Sequence, residues 1–279
     1  KGEVAEDVSR DFDRYWASGS SYPFFSIAPR ADAEKGRLKL HRSRRDDAEI
    51  RASYLDELAA SPLAAAISEG NVPWQYADAR LISDDPAKGL ARDKELPAIA
   101  DSLLEALGKP EKDVFIVSPY FVPSKWGMAA LRDLAANNVK VTVLTNSLRA
   151  TDVAAVHSGY ARYRKDLLNA GVELYEVKPD FAPPKIRDKG LTGSSATSLH
   201  AKTFVVDGKR VFIGSLNFDP RSARLNTEMG MVIDHAGIAG DMRQELEKIT
   251  PQYAYKVVMD KQRKRLRWQD PDQPDVLLK

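Results

Sequence analysis

Residues 114–144, VFIVSPYFVPSKWGMAALRDLAANNVKVTVL, alternate short apolar runs with a segment of helical pattern. Short apolar runs predict buried strands, and apolar residues at helical spacing predict the helices between them. The predicted elements, continued past this stretch, are strand 114–117, helix 125–137, strand 139–144, helix 152–170 and strand 172–177. This β-α-β-α-β succession predicts an α/β layered sandwich, with helices flanking a mixed, largely parallel sheet.

Upstream of this stretch, the sequence favours helices. Residues 3–17 carry apolar residues at helical spacing, and residues 46–68 do the same, with Pro62 kinking or splitting the second helix. We place a domain boundary near Gly70, so that residues 1–70 form a helical unit and residues 71–279 form the α/β domain.

Composition excludes several classes of protein. The chain has 279 residues, of which 43% are hydrophobic and 29% charged, as in an ordinary globular protein. It has no cysteine, which excludes disulfides, thiolate metal sites and thiol nucleophiles. No apolar run approaches the roughly 18 residues of a spanning helix. The net charge of +2 is too small to predict a nucleic-acid partner by itself.

The C-terminal part of the sequence predicts a long loop, a hairpin and a final strand and helix. Residues 179–198 hold three prolines and a Gly/Ser/Thr run, which is typical of a functional or mobile loop. Strands 200–206 and 210–213 flank Asp207-Gly208, a pair that favours a hairpin turn. Residues 229–233 predict one more strand, and residues 238–249 a helix.

Polar residues around this hairpin form the candidate catalytic site. They are His200, Lys202, Asp207, Ser215, Asn217 and Glu228. Strand alternation puts His200 and Lys202 on one face, and the end of the next strand brings Ser215 and Asn217 towards them. Ammonium and amide groups suit the oxygens of a phosphodiester, while an imidazole can attack phosphorus or protonate a leaving oxygen. Glu228 is expected to accept a hydrogen bond from the His200 ring and to fix its tautomer.

The spacing resembles the HxKx4Dx6GSxN signature of the phospholipase D superfamily. The six matching positions are His200, Lys202, Asp207, Gly214, Ser215 and Asn217. Four other segments resemble bacterial cardiolipin synthases: residues 12–16, 118–123, 151–176 and 217–222. Of these, residues 12–16 resemble the C-type branch in particular. The resemblance implies a phospholipase D-like fold that needs neither a metal nor an organic cofactor.

The resemblance also implies a two-histidine reaction. In the family, one histidine attacks phosphorus to form a phosphohistidine, the other protonates the departing alcohol, and a second alcohol then takes the phosphatidyl group. The second-motif histidine is usually the acid and base, so we expect that role of His200. Only one such motif is present, since His41, His157 and His235 all lack a lysine two residues later. We therefore interpret the chain as the end of a first phospholipase D half plus a whole second half.

Several of these residues also have a purely structural interpretation. Asp207 lies at a hairpin turn, which predicts structural support through a salt bridge rather than contact with substrate. Tyr120 and Phe121 follow a buried strand, so they either pack in the core or line the ligand crevice. His157 and Tyr160 lie one helical turn apart; packing is the first interpretation, and lining a lipid site the second.

Two basic segments are candidate membrane contacts. Residues 261–268 gather five positive charges around Leu266 and Trp268, which is typical of a solvated face but also suits an anionic bilayer surface. Lys88, in the turn 84–88, either belongs to an ordinary loop or lies near a lipid headgroup.

Three hypotheses for function follow. The first is a cardiolipin-synthase-like phosphatidyltransferase that binds anionic phospholipids and lies peripherally on the cytoplasmic face of the bacterial inner membrane. Its protein partner would be the missing first-motif half or a second copy of this chain. The second is a homodimeric single-motif phosphodiesterase or nuclease, although nucleic acid is not the partner we expect. The third is a catalytically silent membrane-binding module.

Overall fold

The computed structural model describes residues 2–28, 34–37, 55–56, 58–72, 74–90, 99–179, 199–260, 265–271 and 273–278. The chain forms two compact units: the larger comprises Lys1–Ser18 and Ala77–Lys279, and the smaller comprises Gly19–Tyr76. The chain thus passes between the units twice, after Ser18 and after Tyr76. The first helix belongs to the larger unit.

The described residues contain the following helices and strands. The helices are α1 Glu3–Trp16, α2 Phe24–Ile27, α3 Pro62–Ser68, α4 Ile99–Leu107, α5 Ser124–Ala136, α6 Ala154–Ala161, α7 Arg164–Asn169, α8 Pro220–Arg224 and α9 Ala236–Tyr253, with a 3-10 turn at Pro86–Leu90. The strands are β1 Asp78–Ser83, β2 Asp113–Val117, β3 Lys140–Asn146, β4 Glu173–Val177, β5 Thr203–Val206, β6 Arg210–Gly214, β7 Met229–Asp234, β8 Ala254–Asp260, β9 Arg265–Asp270 and β10 Gln273–Leu278.

These ten strands form one mixed sheet in the order β1-β7-β6-β5-β2-β3-β4-β8-β9-β10. Only the pairs β2–β3 and β3–β4 are parallel; the other seven are antiparallel. The mixed α/β fold is confirmed, but the expectation of a largely parallel sheet is wrong. Parallel pairing needs long crossover connections, which here carry α5, α6 and α7, whereas short hairpin connections give antiparallel neighbours.

Helices cover both faces of the sheet, as expected for a layered sandwich. Along β2, Val114 and Ile116 enter one apolar core, while Phe115 and Val117 enter the other. Helices α4, α5 and α7 pack on the first face, and α9 packs on the second. Every residue of β2 is buried, which explains the apolar run that follows Asp113.

The observed elements differ from the predicted ones in three places. The hairpin strand begins at Thr203 rather than at residue 200, so His200 and Lys202 precede it. The helix predicted over 152–170 is two helices, α6 and α7. The part of the basic segment that is described, Arg265–Asp270, is strand β9 of the sheet rather than a tail.

Other predictions fall wholly or partly outside the described residues. These are residues 46–54 and 57 of the helix predicted over 46–68, nearly all of the loop 179–198, and residues 261–264 of the basic segment. Among the helices that are described, none combines the length and apolar character required to cross a bilayer.

Candidate active site

The predicted motif residues, except Asp207, lie at one edge of the sheet. Strands β1, β2, β3 and β6 end there, and β5 and β7 begin there, as the pairs Val117–Thr203, Gly214–Gly230 and Ser83–Met229 show. We call this edge the candidate-site edge. The residues that follow or precede these strand ends are Asp84, Ser118, Lys202, Ser215 and Glu228. Antiparallel neighbours thus bring together groups that are far apart in sequence.

Lys202 is a buried charged group of the site. Its side chain is buried, at 9% exposure, and its ammonium donates a 2.8 Å hydrogen bond to the carbonyl oxygen of His200. Burial lowers the pKa of Lys202, while the carboxylates of Glu228 and Asp152 act in the opposite direction. His200 itself is exposed. The site therefore combines an accessible imidazole with a largely desolvated ammonium.

Ser215 joins the end of β6 to the start of β7. Its hydroxyl accepts a 3.0 Å bond from the backbone N–H of Met229 and donates a 3.3 Å bond to the Met229 carbonyl. The preceding Gly214 approaches β7 so closely that a Cβ atom there would collide with the Met229 carbonyl and the Gly230 Cα. Gly214 and Ser215 thus support the strand end before Asn217.

Asn217 presents a polar group without a partner. The residue is 9% exposed, and its Oδ1 is buried with no hydrogen bond to the described part of the chain. A buried amide oxygen without a partner is costly in a folded protein, which makes this position a natural one for a bound group.

Glu228 lies in the same site but does not make the predicted contact. Its carboxylate accepts a 3.2 Å bond from Asn226, and its backbone N–H and C=O both bond to Asp84, at 2.9 Å each. No hydrogen bond joins it to the His200 ring among the described residues. The expectation that Glu228 orients the His200 ring is therefore corrected: Asp84 holds Glu228 near Lys202 instead.

Asp207 lies away from the candidate-site edge, at the opposite end of β5. It occupies the predicted hairpin turn with a positive φ of 53°, followed by Gly208 at 59°. Its carboxylate accepts backbone N–H bonds of 3.1, 2.7 and 3.0 Å from Glu111, Lys112 and Asp113. Burial alone would raise the pKa of Asp207, but these amides outweigh it and hold the pKa below its usual range.

The structure thus corrects two expectations for Asp207. Five residues of extended chain separate it from Lys202, about 16 Å, so it does not belong to a catalytic group at the other edge. The expected support is a set of backbone amides at the start of β2 rather than a salt bridge.

Tyr120 and Phe121 have different environments. The Tyr120 hydroxyl donates to both carboxylate oxygens of Asp152 at 2.8 Å, and burial together with Asp152 raises its pKa to about 12. Phe121 is 1% exposed and stacks on Phe218 at 5.1 Å between ring centroids. Phe121 is therefore a core residue, which corrects its placement in a substrate crevice. Tyr120 remains at the candidate-site edge, because Asp152 lies near Lys202.

Comparison with known proteins identifies the family of the chain. Residues 103–250, slightly more than half of the chain, match the family described as "Cardiolipin synthase, PLD-like domain". The chain belongs to this phospholipase D-like family.

Relatives of this phospholipase D-like chain are longer than it is. It is 46% identical to cardiolipin synthase C of Escherichia coli over 85% of the chain and 50% of that protein. It is 31% identical to cardiolipin synthase A of Pseudomonas aeruginosa over 63% of the chain and 32% of that protein. The chain therefore spans about half the length, or less, of these curated relatives.

A solved structure shares the fold. Phosphatidylserine synthase of Haemophilus influenzae superposes on this chain with a TM-score of 0.51 and 16% identity. The superposition covers 91% of this chain and 53% of the synthase. At this identity the likeness supports the phospholipase D-like fold alone.

His157 and Tyr160 belong to a buried cluster beside β4, and His157 also lies close to the backbone of Asn146. The cluster comprises the buried residues His157, Tyr160, Arg164 and Glu176, with the half-buried Trp268 beside them, and we call these five residues the buried cluster. Arg164 contacts the His157 ring, pairs with Glu176 at 2.8 Å, and lies over the Tyr160 ring. His157 is 7% exposed and Tyr160 2%. Both residues therefore pack, in agreement with the first of their two interpretations from sequence and not with the second, in which they line a lipid site.

The buried cluster also corrects the membrane role expected of Trp268. Its indole N–H donates a 2.8 Å bond to Glu176, and its ring lies 5.2 Å from the Arg164 guanidinium carbon. Lys88 pairs with the buried Asp84 at 2.6 Å and donates to the Ser222 carbonyl at 3.1 Å, so its ammonium has internal partners. Both residues make internal contacts.

Sequence reasoning missed three buried polar residues at the candidate-site edge. They are Asp84, Ser118 and Asn146. Ser118 accepts a 3.0 Å bond from the N–H of Phe218 and donates a 2.8 Å bond to the Tyr120 carbonyl, which ties the loop after β2 to the Asn217 segment. Each of the three ends or directly follows a strand, and that position was the available signal. Within the described residues, no cluster of histidine, aspartate or glutamate side chains is placed to hold a metal ion.

Proposed function

We propose that this chain supplies one histidine–lysine motif of a phosphatidyltransferase that acts on phospholipid phosphodiesters. The observation that carries the proposal is the grouping of His200, Lys202 and Asn217 at one sheet edge, in a chain of the cardiolipin synthase family. Its similarity to cardiolipin synthase C supports transfer to an alcohol over simple hydrolysis.

Each group has a distinct task in this proposal. The Lys202 ammonium and the Asn217 amide bind the non-bridging oxygens of the phosphodiester, where their hydrogen bonds strengthen as charge develops. The carboxylates of Glu228 and Asp152 oppose the lowering of the Lys202 pKa that burial causes. His200 is exposed, so its ring is accessible to the alcohol oxygens.

The reaction has two proton-coupled steps. A histidine from a second motif attacks phosphorus, and the P–O bond to the departing alcohol breaks as His200 gives that oxygen a proton. A second alcohol, the free glycerol hydroxyl of phosphatidylglycerol, then gives His200 its proton and attacks phosphorus, which breaks the P–N bond and frees the first histidine. The second motif comes from the other half of a longer protein or from a second copy of this chain.

This chemistry places the protein at a phospholipid surface. We propose peripheral attachment at the cytoplasmic face of the bacterial inner membrane, with anionic phospholipids as substrates.

Lipid turnover tests the proposal. The chain is incubated with mixed phosphatidylglycerol and phosphatidylethanolamine vesicles, with and without a first-motif half as a separate polypeptide, and cardiolipin is measured. His200→Ala is the test variant. His235→Ala is its matched control, because His235 caps α9 and bonds to the Ile238 N–H at 3.1 Å.

Three results are distinguishable. Cardiolipin that forms only with the first-motif half, and disappears in His200→Ala but not in His235→Ala, supports a composite site. Turnover by the chain alone indicates a homodimer that pairs two copies of His200. Vesicle binding that survives His200→Ala, without turnover in any mixture, contradicts the proposal and favours a silent binding module.

A further inference from the structure

The backbone just before His200 is held by a side chain from a distant strand. Asn146, the last residue of β3, accepts a 3.0 Å hydrogen bond from the Leu199 N–H and donates a 3.2 Å bond to the Leu199 carbonyl. The two bonds use both ends of the amide, and Asn146 is 2% exposed. A single buried side chain thus satisfies both backbone groups of the residue that precedes His200.

Asn146 contacts the backbone at a point that the β2–β5 ladder does not reach. That ladder ends at the pair Val117–Thr203. On the β6 side, the Lys202 carbonyl still accepts a 3.2 Å bond from the Gly214 N–H. Asn146 adds a contact from β3 three residues earlier, at Leu199.

We propose that Asn146 is a positioning residue for His200. This inference rests on the proposed function: the amide fixes the backbone at Leu199, and so the point from which the His200 ring reaches the alcohol oxygen. Asparagine is suited to the task because its side chain carries a donor and an acceptor, whereas aspartate carries acceptors alone.

Two variants separate positioning from general stability. Asn146→Ala removes both bonds, and Asn146→Asp retains an acceptor for the Leu199 N–H but sets a carboxylate against the Leu199 carbonyl. Thr145→Ala is the matched control, since Thr145 is an equally buried β3 residue with a single long bond of 3.4 Å to Pro119. Hydrogen exchange of the Leu199 amide reports on the contact without requiring activity.

In the assembly that turns over lipid, Asn146→Ala is expected to lower kcat by about 10- to 100-fold with KM within twofold, because small displacements of a reacting group have effects of this size. Leu199 exchange should accelerate in Asn146→Ala and stay slow in Asn146→Asp, whose kcat should be intermediate. Thr145→Ala should change neither quantity by more than about twofold.

The outcomes are separable. If Leu199 exchange accelerates but kcat of Asn146→Ala equals that of Thr145→Ala, the positioning role is refuted while the proposed function stands. Unchanged Leu199 exchange in Asn146→Ala also refutes it. If the unsubstituted protein turns over no lipid in any assembly, the proposed function fails and takes this inference with it.

Discussion

The candidate-site edge and the buried cluster contain the same kinds of residue in different surroundings. Each combines a histidine, a basic side chain and a glutamate: His200, Lys202 and Glu228 in one, and His157, Arg164 and Glu176 in the other. At the edge the histidine is exposed, whereas in the buried cluster all of these side chains are at least nine-tenths inaccessible. The edge lies where six strands begin or end, and the cluster lies where α6 and α7 cover β4 and β9.

This difference shows that residue type alone does not identify a reactive site. In the buried cluster each charge has an internal partner, so the group contributes to packing and leaves no room for a substrate. At the edge, by contrast, the histidine faces solvent. Solvent access to the histidine, rather than its presence, distinguishes the first location.

The largest expected effect separates the two histidines by activity. His200→Ala should lower turnover by about 10²- to 10⁴-fold, the usual contribution of a general acid and base, which corresponds to about 2.7–5.4 kcal/mol. Its free energy of unfolding should change by no more than about 0.5 kcal/mol, because the side chain is exposed. Lipid turnover and urea unfolding measure the two quantities. A loss of activity that is matched by a loss of stability would contradict this assignment.

The second prediction concerns the buried ion pair. Arg164→Met should lower the free energy of unfolding by about 3–5 kcal/mol, because it leaves Glu176 charged, buried and unpaired. Burial already raises the pKa of Glu176 in spite of Arg164. Urea unfolding measures the effect.

A double variant supplies the control for Arg164→Met. Adding Glu176→Gln to Arg164→Met should restore part of the lost stability, since neither position then carries a buried charge. If both variants lose the same stability, packing rather than charge explains the effect.

The third prediction is a pH dependence that belongs to His157. Burial and, second, Arg164 lower the pKa of His157 from its ordinary 6.5 to about 4. The unfolded chain therefore binds the proton first, so this stability is present above pH 6.5 and is lost as the pH falls towards 4. The slope is about 1.4 kcal/mol per pH unit, or about 3 kcal/mol in all. Urea unfolding of His157→Gln should lack this slope, whereas His200→Gln should retain it.

The smallest effect concerns the bond between Trp268 and Glu176. Trp268→Phe keeps the ring over Arg164 but removes the indole donor, so it should lower stability by about 1–2 kcal/mol. Binding to anionic vesicles should not change, because Trp268 contacts the protein interior. Reduced vesicle binding with unchanged stability would return Trp268 to the membrane role first expected of it.

The sequence by itself determined what depends on neighbours along the chain. The apolar run of β2 and the Asp207-Gly208 turn were predicted correctly, because burial patterning and positive φ are properties of a few adjacent residues. The fixed spacing around His200 and Lys202 likewise led to the family, since the motif is local in sequence.

Only the tertiary structure decided which distant groups meet. Asp84 and Glu228 are 144 residues apart, Asn146 and Leu199 are 53 apart, and Glu176 and Trp268 are 92 apart. Strand order sets these contacts, and the sequence pattern of a single strand does not encode its neighbour or its direction. For this reason the predicted parallel sheet, the Glu228–His200 contact and the membrane-facing Trp268 all differ from the structure.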